Sequence, residues 1–252
     1  IRIMPVGVLD SGVGGLSVLR AIRATQPSAD LIYYADQAHL PYGPRPAAEI
    51  RHLTETGVDW LLAQGCEAVV LACNTASAAA LQGLRNAHPS IPFVGMEPAI
   101  KPAAAATRSG VIGVLATPGT LRGELFRQTR ERHAAHVRVI EQPCAGWVEQ
   151  VESGELDSAE VRALVERDVA PLLAEGADAL VLGCTHFPFL APAIADLAGP
   201  SVRLIDPAPA VAAQLSRVLG SDSGGSGRRV FHSTRDTEKL AMMAERLLVP
   251  VT

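Results

Sequence analysis

Two cysteines stand at matching positions of an internal repeat in this chain of 252 residues. The segment LLAQGCEAVVLACNT at 61–75 returns as LLAEGADALVLGCTH at 172–186, with eight of the fifteen positions identical. The match aligns Cys73 with Cys184. The thiolate is the basic and nucleophilic form of cysteine. Two related thiols could therefore serve as a base and an acid on opposite faces of one carbon atom, which is what inversion of that carbon requires.

Each of these cysteines follows a buried apolar strand and precedes a helical pattern, over 76–85 in the first copy and 187–197 in the second. The positive end of a helix dipole lowers a thiol pKa from about 8.5 towards neutrality. A lone cysteine after a strand is ordinarily a small core residue, and the recurrence favours a chemical role instead. Cys66 and Cys144 do not recur in the repeat, so they are interpreted as core residues.

Two ionisable side chains flank the cysteines in the sequence. His186 comes directly after the second Cys-Thr pair, and Asp10 stands at the end of the first apolar run. Either group could orient a thiol or hold its proton. The alternative for His186 is a structural histidine within the core.

The segment DSGVGGLSVL at 10–19 combines an acid with Gly12, Gly14 and Gly15 at a turn from strand to helix. Backbone N–H groups at such a turn can converge on an anion. The spacing is not G-x-G-x-x-G and no G-K-[ST] follows, so it does not indicate a nucleotide site, and Asp10 would repel a phosphate. The turn suits a substrate with an amine or an acidic proton. The alternative is an ordinary turn whose Asp or Ser caps the helix.

Other polar groups in loops after predicted strands could hold substrate carboxylates, because these loops contain almost no Arg or Lys. The backbone of the Pro-Tyr-Gly turn at 41–43 offers a further cradle, or is simply a turn. The hydroxyl candidates are Thr75, Thr117, Thr120 and Thr185.

Alternating apolar strands and amphipathic helices predict an α/β fold with mostly parallel sheets. Because open α/β sheets hold ligands at the carboxyl ends of their strands, the repeat predicts two pseudo-symmetric, three-layer α/β domains with the active site in the cleft between them. Strands are predicted at 6–9, 31–34, 68–72, 93–95, 111–115, 137–140, 179–182, 202–205 and 229–232, and helices at 16–25, 47–63, 119–132, 158–174 and 208–219.

The proline-containing segments at 95–102 and 206–209 are interpreted as the crossover between the halves and the return. The first domain is therefore predicted to be discontinuous, with residues 1–97 plus 209–252, and the second to contain residues 98–208. The segment SDSGGSG at 221–227 has the composition of a flexible surface loop.

Composition excludes several classes of protein. A net charge of −4 gives no basic face for nucleic acid. No apolar run reaches membrane-spanning length and no signal peptide precedes the first strand, so a cytoplasmic location without membrane attachment is expected. Four cysteines without a C-x-x-C pair indicate neither a disulfide framework nor a zinc ribbon, so no metal site is predicted.

Seven segments together closely resemble the glutamate racemases of the cofactor-independent aspartate/glutamate racemase family. They are GVLDSGVGGLSVL, YYAD, PYG, ACNTAS, GMEPAIKPA, GCTHFP and IDPA, in the order and spacing of that family, between Val6 and about Leu219. The resemblance implies interconversion of L- and D-glutamate without pyridoxal phosphate or metal, to supply D-glutamate for peptidoglycan. It also implies a homodimer. Some glutamate racemases are associated with inhibition of DNA gyrase, and no feature of this acidic chain assigns that role.

Carried over residue by residue, the resemblance gives catalytic roles to four side chains. Cys73 would take the Cα proton from D-glutamate and Cys184 from L-glutamate, with Asp10 and His186 assisting. Substrate contacts are implied for Ser11, Pro41, Tyr42, Gly43, Asn74, Thr75, Thr117, Thr120, Glu152 and Thr185.

Three other functions fit parts of the sequence. A small-molecule binding protein with structural cysteines would not exchange the Cα hydrogen of glutamate. A racemase for aspartate or a related acid would differ in relative turnover. A redox dithiol would require the two cysteines to lie within bonding distance.

Overall fold

Two parallel sheets account for the nine strands in the computed structural model, which describes residues 5–220 and 225–248. The chain divides into two compact units. The first takes in the described residues of Ile1–Met96 and Ala208–Thr252, and the second is Glu97–Pro207. Neighbouring strands in the described ranges are all parallel. This confirms the predicted fold class of two α/β domains with parallel sheets.

The first unit has a five-stranded sheet surrounded by helices. Its elements are β1 (Val6–Asp10), α1 (Leu16–Thr25), β2 (Leu31–Ala35), α2 (Ala47–Ala63), β3 (Ala68–Leu71), α3 (Asn74–Ala87) and β4 (Phe93–Gly95), followed after the second unit by α10 (Ala208–Leu219), β9 (Arg229–Ser233) and α11 (Thr237–Leu247). The strand order is β4-β3-β1-β2-β9.

The second unit has a four-stranded sheet. Its elements are α4 (Ile100–Ala106), β5 (Val111–Ala116), α5 (Pro118–Leu121), α6 (Glu124–His133), β6 (Arg138–Pro143), α7 (Trp147–Ser153), α8 (Ala159–Ala174), β7 (Ala179–Leu182), α9 (Ala191–Ala198) and β8 (Arg203–Ile205). The strand order is β6-β5-β7-β8.

The sequence repeat corresponds to a repeat in topology. Reading β8-β7-β5-β6 against β4-β3-β1-β2 matches every strand of the second sheet with one of the first, and β9 is the additional edge strand. The register is also the same, because Val6 pairs with Ala68 in the first sheet and Ile112 pairs with Ala179 in the second. The segments after matching strands therefore leave the two sheets at equivalent points.

Helix α1 illustrates why the amphipathic segments fold as predicted. Its buried residues include Leu16, Leu19 and Ile22, which recur at helical spacing on one face. Complete burial of each such side chain stabilises the folded state by about 1.5–3 kcal/mol. The observed bounds of this helix are those predicted from the sequence.

Two predicted helices are interrupted. The segment 119–132 is divided into α5 and α6, because Gly123 has an extended backbone and begins the second helix. The segment 187–197 starts as the 3-10 helix Phe187–Leu190, and α9 begins only at Ala191. Pro188 lies within this 3-10 helix.

Three α-helices of the described residues were not predicted, namely α4, α7 and α11, and neither was the 3-10 helix Gln37–His39. Helix α4 begins inside the segment interpreted as a crossover, and α7 has only seven residues between Gly146 and Gly154, both of positive φ. Part of the predicted 221–227 loop lies outside the described residues, while Ser226 in its second half donates two hydrogen bonds to Asp30, at 2.9 and 3.0 Å.

Across residues 5–220 and 225–248, no helix has both the length and the apolar character needed to span a bilayer. Over the same ranges, no three His, Cys, Asp or Glu side chains form a group that could hold a metal ion.

Two glycines within helices allow a matched test of packing. A methyl group added at Gly57 in α2 would lie 2.6 Å from Leu9 Cδ1 and 2.7 Å from Tyr34 Cε1, whereas Gly83 in α3 has no atom within 4 Å of that position. We expect Gly83→Ala to stabilise the protein by about 0.5–1 kcal/mol, because alanine loses less backbone entropy. Overpacking should make Gly57→Ala destabilising by roughly 1 kcal/mol or more. Urea unfolding would measure both, and a stabilising Gly57→Ala would contradict this packing.

Candidate active site

The ends of two paired strands bring the first cysteine and its neighbours together. Asp10 is the last residue of β1, Ser11 follows it, and Cys73 comes two residues after β3. Since Leu9 pairs with Leu71, both chains leave the sheet side by side, and the Ser11 hydroxyl lies 3.9 Å from the Cys73 thiol. The structure thus brings together the strand ends that carry Asp10, Ser11 and Cys73.

Cys73 is the N-cap residue of α3. Its Sγ accepts a hydrogen bond from the backbone N–H of Ala76 at 3.4 Å, and the side chain is only 6% exposed. Hydrogen bonding and the positive end of the helix dipole both favour a negative charge at this sulfur.

The Asp10 carboxylate is completely buried and has a defined orientation. Its Oδ1 accepts a hydrogen bond from the backbone N–H of Gly12 at 2.8 Å. A buried carboxylate held in this way is a fixed polar group at the end of the strand that pairs with the cysteine strand, and such a group can assist proton transfer.

Asn74 and Thr75 open helix α3 directly after Cys73, and both are buried. The amide nitrogen and oxygen of Asn74 have no hydrogen-bond partner among the residues that the structure describes. A buried polar atom without a partner costs about 1–3 kcal/mol. An amide both donates and accepts hydrogen bonds, so Asn74 could bind the carboxylate or the ammonium group of an amino acid.

The Pro-Tyr-Gly turn lies between β2 and α2. The Tyr42 hydroxyl donates to Asp36 Oδ2 at 2.7 Å, and Thr234 donates to Asp36 Oδ1 at 2.9 Å. Burial raises the pKa of Tyr42 well above its ordinary value, and the bond to Asp36 raises it further. Tyr42 packs in the same apolar cluster as Cys73, so the turn is anchored close to the first thiol. Pro41 is partly exposed and Gly43 is buried.

The second cysteine, Cys184, contacts His186, which in turn contacts the Glu152 carboxylate. His186 Nδ1 lies 3.6 Å from Cys184 Sγ, and His186 Nε2 lies 2.7 Å from Glu152 Oε1. Burial alone lowers the pKa of His186, but the bonds with Cys184 and Glu152 raise it well above the ordinary 6.5.

Glu152 reaches His186 from helix α7, which the sequence did not predict. The Trp147 indole at the start of α7 packs on the Phe187 ring with centroids 4.8 Å apart. This contact ties the helix that carries Glu152 to the segment that carries His186. Sequence reasoning placed Glu152 near the substrate through resemblance alone, whereas its observed contact is with the imidazole.

The expected helix dipole is absent at Cys184. The residues after it form a turn and the 3-10 helix Phe187–Leu190, so α9 begins seven positions further along. The dipole argument therefore applies to Cys73, and at Cys184 the nearby positive charge comes from His186.

Two threonine hydroxyls lie after the end of β5. Thr117 follows this strand, its Oγ1 accepts a bond from the Thr120 backbone N–H at 3.3 Å, and the two hydroxyl oxygens are 3.2 Å apart. Thr185 is buried beside Cys184. Because Gly183 N donates to Leu115 O at 2.7 Å, the segments carrying Thr117 and Cys184 leave the sheet together.

The remaining two cysteines are core residues. Burial raises the pKa of the Cys66 thiol to about 12 and raises the pKa of Cys144 still further. Neither is exposed by more than 3%. All four cysteines are free thiols.

Comparison with known proteins yields a consistent set of relatives. A family model described as Asp/Glu/Hydantoin racemase matches residues 15–215. A glutamate racemase of Ectopseudomonas mendocina is 57% identical over 216 residues, which cover 86% of this chain and 82% of the relative.

Solved structures of glutamate racemases are also similar to this chain. Glutamate racemase isoform RacE1 from Bacillus anthracis has a TM-score of 0.88 at 33% identity, covering 98% of this chain and 95% of that one. Escherichia coli glutamate racemase, in complex with L-glutamate and the activator UDP-MurNAc-Ala, has a TM-score of 0.87 at 32% identity, covering 96% and 95%.

Removing the charge of Glu152 should lower the pKa of His186, because that carboxylate is one of the two groups that raise it. A histidine with a raised folded pKa stabilises the fold below its unfolded pKa, and this contribution is lost as pH rises through the folded pKa. The stability difference between wild type and Glu152→Gln should thus be largest near pH 6, about the unfolded pKa, and should narrow at higher pH.

NMR titration of the His186 ring and urea unfolding at several pH values would test this expectation. Glu149→Gln is the matched control, because Glu149 lies on the same helix but is exposed. An unchanged His186 titration in Glu152→Gln would show that the carboxylate does not set the charge of the ring.

Proposed function

The chain belongs to the Asp/Glu/Hydantoin racemase family, and we propose that the amino acid it racemises is glutamate. It is an isomerase. The choice of glutamate is supported by the names of its relatives, one of them 57% identical, and by the L-glutamate bound in the Escherichia coli structure.

The observation that carries the mechanism is the pair of thiols at matching strand ends, each with its own acid–base neighbour. Proton removal from Cα on one face and delivery to the other inverts the centre. In the proposed reaction, Cys73 as thiolate takes the Cα proton of D-glutamate, so a C–H bond breaks and an S–H bond forms. The Cys184 thiol then donates its proton to the carbanion. The reverse reaction exchanges the two roles.

Asp10 and His186 assist the two thiols differently. The buried Asp10 carboxylate stands at the strand end beside Cys73, and His186 contacts the Cys184 sulfur at 3.6 Å. Such groups typically contribute about 10²–10⁴-fold to the rate. Glu152 accepts from His186 Nε2, which leaves Nδ1 facing the thiol. We assign Glu152 to holding this ring rather than to binding substrate.

Substrate recognition is proposed to rely on amides and hydroxyls. The buried Asn74 amide lacks a partner among the described residues, and a charged amino acid could satisfy both of its polar atoms. The Pro-Tyr-Gly backbone provides further donors. The hydroxyls proposed to complete the set belong to Ser11, Thr75, Thr117, Thr120 and Thr185.

The wider roles follow from family resemblance. We propose that the product D-glutamate supplies peptidoglycan synthesis in the cytoplasm, that the enzyme is a homodimer, and that it uses neither pyridoxal phosphate nor a metal. Activity should therefore survive EDTA and carbonyl-trapping reagents.

Replacing either Cys73 or Cys184 by alanine should abolish racemisation, because one of the two proton transfers then lacks its base or acid. Circular dichroism of L-glutamate solutions would follow the reaction. Cys66→Ala and Cys144→Ala are matched controls and should retain activity, since burial keeps both thiols protonated. L-Aspartate should react far more slowly than L-glutamate.

In deuterated water, D-glutamate formed early from L-glutamate should carry deuterium delivered by Cys73, while unreacted L-glutamate should remain protiated. Mass spectrometry of the separated enantiomers distinguishes this result from a single mobile base, which would label both pools together or transfer protium. Equal early labelling of substrate and product would refute two monoprotic bases, and normal turnover in either alanine variant would refute the pairing.

Asn74→Ala should weaken glutamate binding without destabilising the free protein. The substitution removes two buried polar atoms that have no partner in the part of the chain that the structure describes, and it places a strong helix former at the start of α3. We expect KM to rise and the melting temperature to stay constant or increase. A lower melting temperature with unchanged KM would indicate a structural role instead.

A further inference from the structure

Tyr33 lies in the middle of β2, is completely buried, and reaches the turn that follows β1. Its hydroxyl donates a hydrogen bond of 2.7 Å to the carbonyl oxygen of Gly12. No motif in the sequence distinguished this tyrosine from its neighbour Tyr34.

Both the N–H and the carbonyl group of Gly12 form hydrogen bonds with side chains. Its N–H donates to Asp10 Oδ1 at 2.8 Å, and its carbonyl accepts from Tyr33. The orientation of the Asp10 carboxylate therefore depends on the position of Gly12, which in turn depends on the Tyr33 hydroxyl.

The Tyr33 hydroxyl also lies close to the segment that connects β3 to Cys73. A methyl group added at Gly15 would lie 2.7 Å from Asp10 Cβ, 2.8 Å from the Tyr33 hydroxyl oxygen and 3.1 Å from Ala72 Cβ. These three groups pack around a space that only glycine leaves open. Ala72 directly precedes Cys73, so the Tyr33 hydroxyl joins the packing between Asp10 and the cysteine strand.

We propose that Tyr33 is a positioning residue for the Cys73 half of the reaction, acting through Gly12 on Asp10 and Ser11. The proposal rests on the proposed function, because it names which proton transfer the hydroxyl supports. The ring also has a packing role, with its centroid 6.2 Å from that of Phe231. Phenylalanine would keep that packing and remove the hydroxyl that donates to Gly12.

The test compares Tyr33→Phe with the matched variant Tyr34→Phe. Tyr34 is the next residue of β2, so its side chain lies on the opposite face of the sheet, where it contacts the rings of Trp60 and His232. Small displacements of a catalytic group can cost about 10²-fold in rate. We expect Tyr33→Phe to lower kcat roughly tenfold to a hundredfold with little change in KM, and Tyr34→Phe to leave both near wild type.

Isotope effects give a readout that a general loss of stability would not change. If Tyr33 supports Cys73, its loss makes the Cys73 step more rate-limiting in both directions. The effect of deuterium at Cα should then increase for D-glutamate, whose proton goes to Cys73, and decrease for L-glutamate, whose proton goes to Cys184. Equal changes in the two directions, or none, would overturn the proposal.

Hydrogen exchange provides a second measurement that needs no turnover. The peptide covering residues 10–16 should exchange faster in Tyr33→Phe than in wild type or Tyr34→Phe, because Gly12 loses one of its two anchors. Unchanged exchange in this peptide would also overturn the proposal. A wild-type enzyme inactive on glutamate would refute the proposed function, while the exchange result would still decide whether Tyr33 holds the turn.

Discussion

Hydrogen bonds between parallel neighbouring strands determine where the side chains of the candidate site lie. In each sheet the first strand of the repeat pairs with the strand that precedes a cysteine, and the register is the same in both. The backbone bonds from Ala72 N to Leu9 O and from Gly183 N to Leu115 O continue this pairing past the strand ends. A shift of one residue would turn every side chain to the other face. The thiols could not then meet their neighbours.

The two halves share this strand arrangement but differ in the groups proposed to assist each thiol. Matching β1 with β5 puts Asp10 at the position of Ala116, and the sequence repeat aligns His186 with Thr75. The acid therefore belongs to one half and the imidazole to the other. The electrostatics differ accordingly. Cys73 caps an α-helix and accepts a backbone N–H, whereas the thiol of the second half faces a histidine whose charge depends on Glu152. The two units thus place chemically different groups beside their cysteines.

Buried polar groups beneath the site explain how its loops keep their shape. Asp36 accepts from Tyr42 and Thr234, residues far apart in the sequence, and fixes the Pro-Tyr-Gly turn. Ser77 accepts from the Met96 N–H and donates to the Leu71 carbonyl, which secures the end of the cysteine strand. Such networks rigidify a site when all their members have partners. The Asn74 amide has no such partner among residues 5–220 and 225–248, in keeping with its proposed role in binding substrate.

Local pattern and the internal repeat were sufficient to predict the fold class, the nine strands and the two strand-end cysteines. These features depend on apolar periodicity within short segments, which the sequence contains directly. Tertiary structure decided the contacts between distant segments. Glu152 reaches His186 from a seven-residue helix too short to give a periodic signal, and the Tyr33 hydroxyl meets Gly12 only because β1 and β2 pair. The sequence determines which side chains are available for chemistry. Strand pairing and packing determine which of them are in contact.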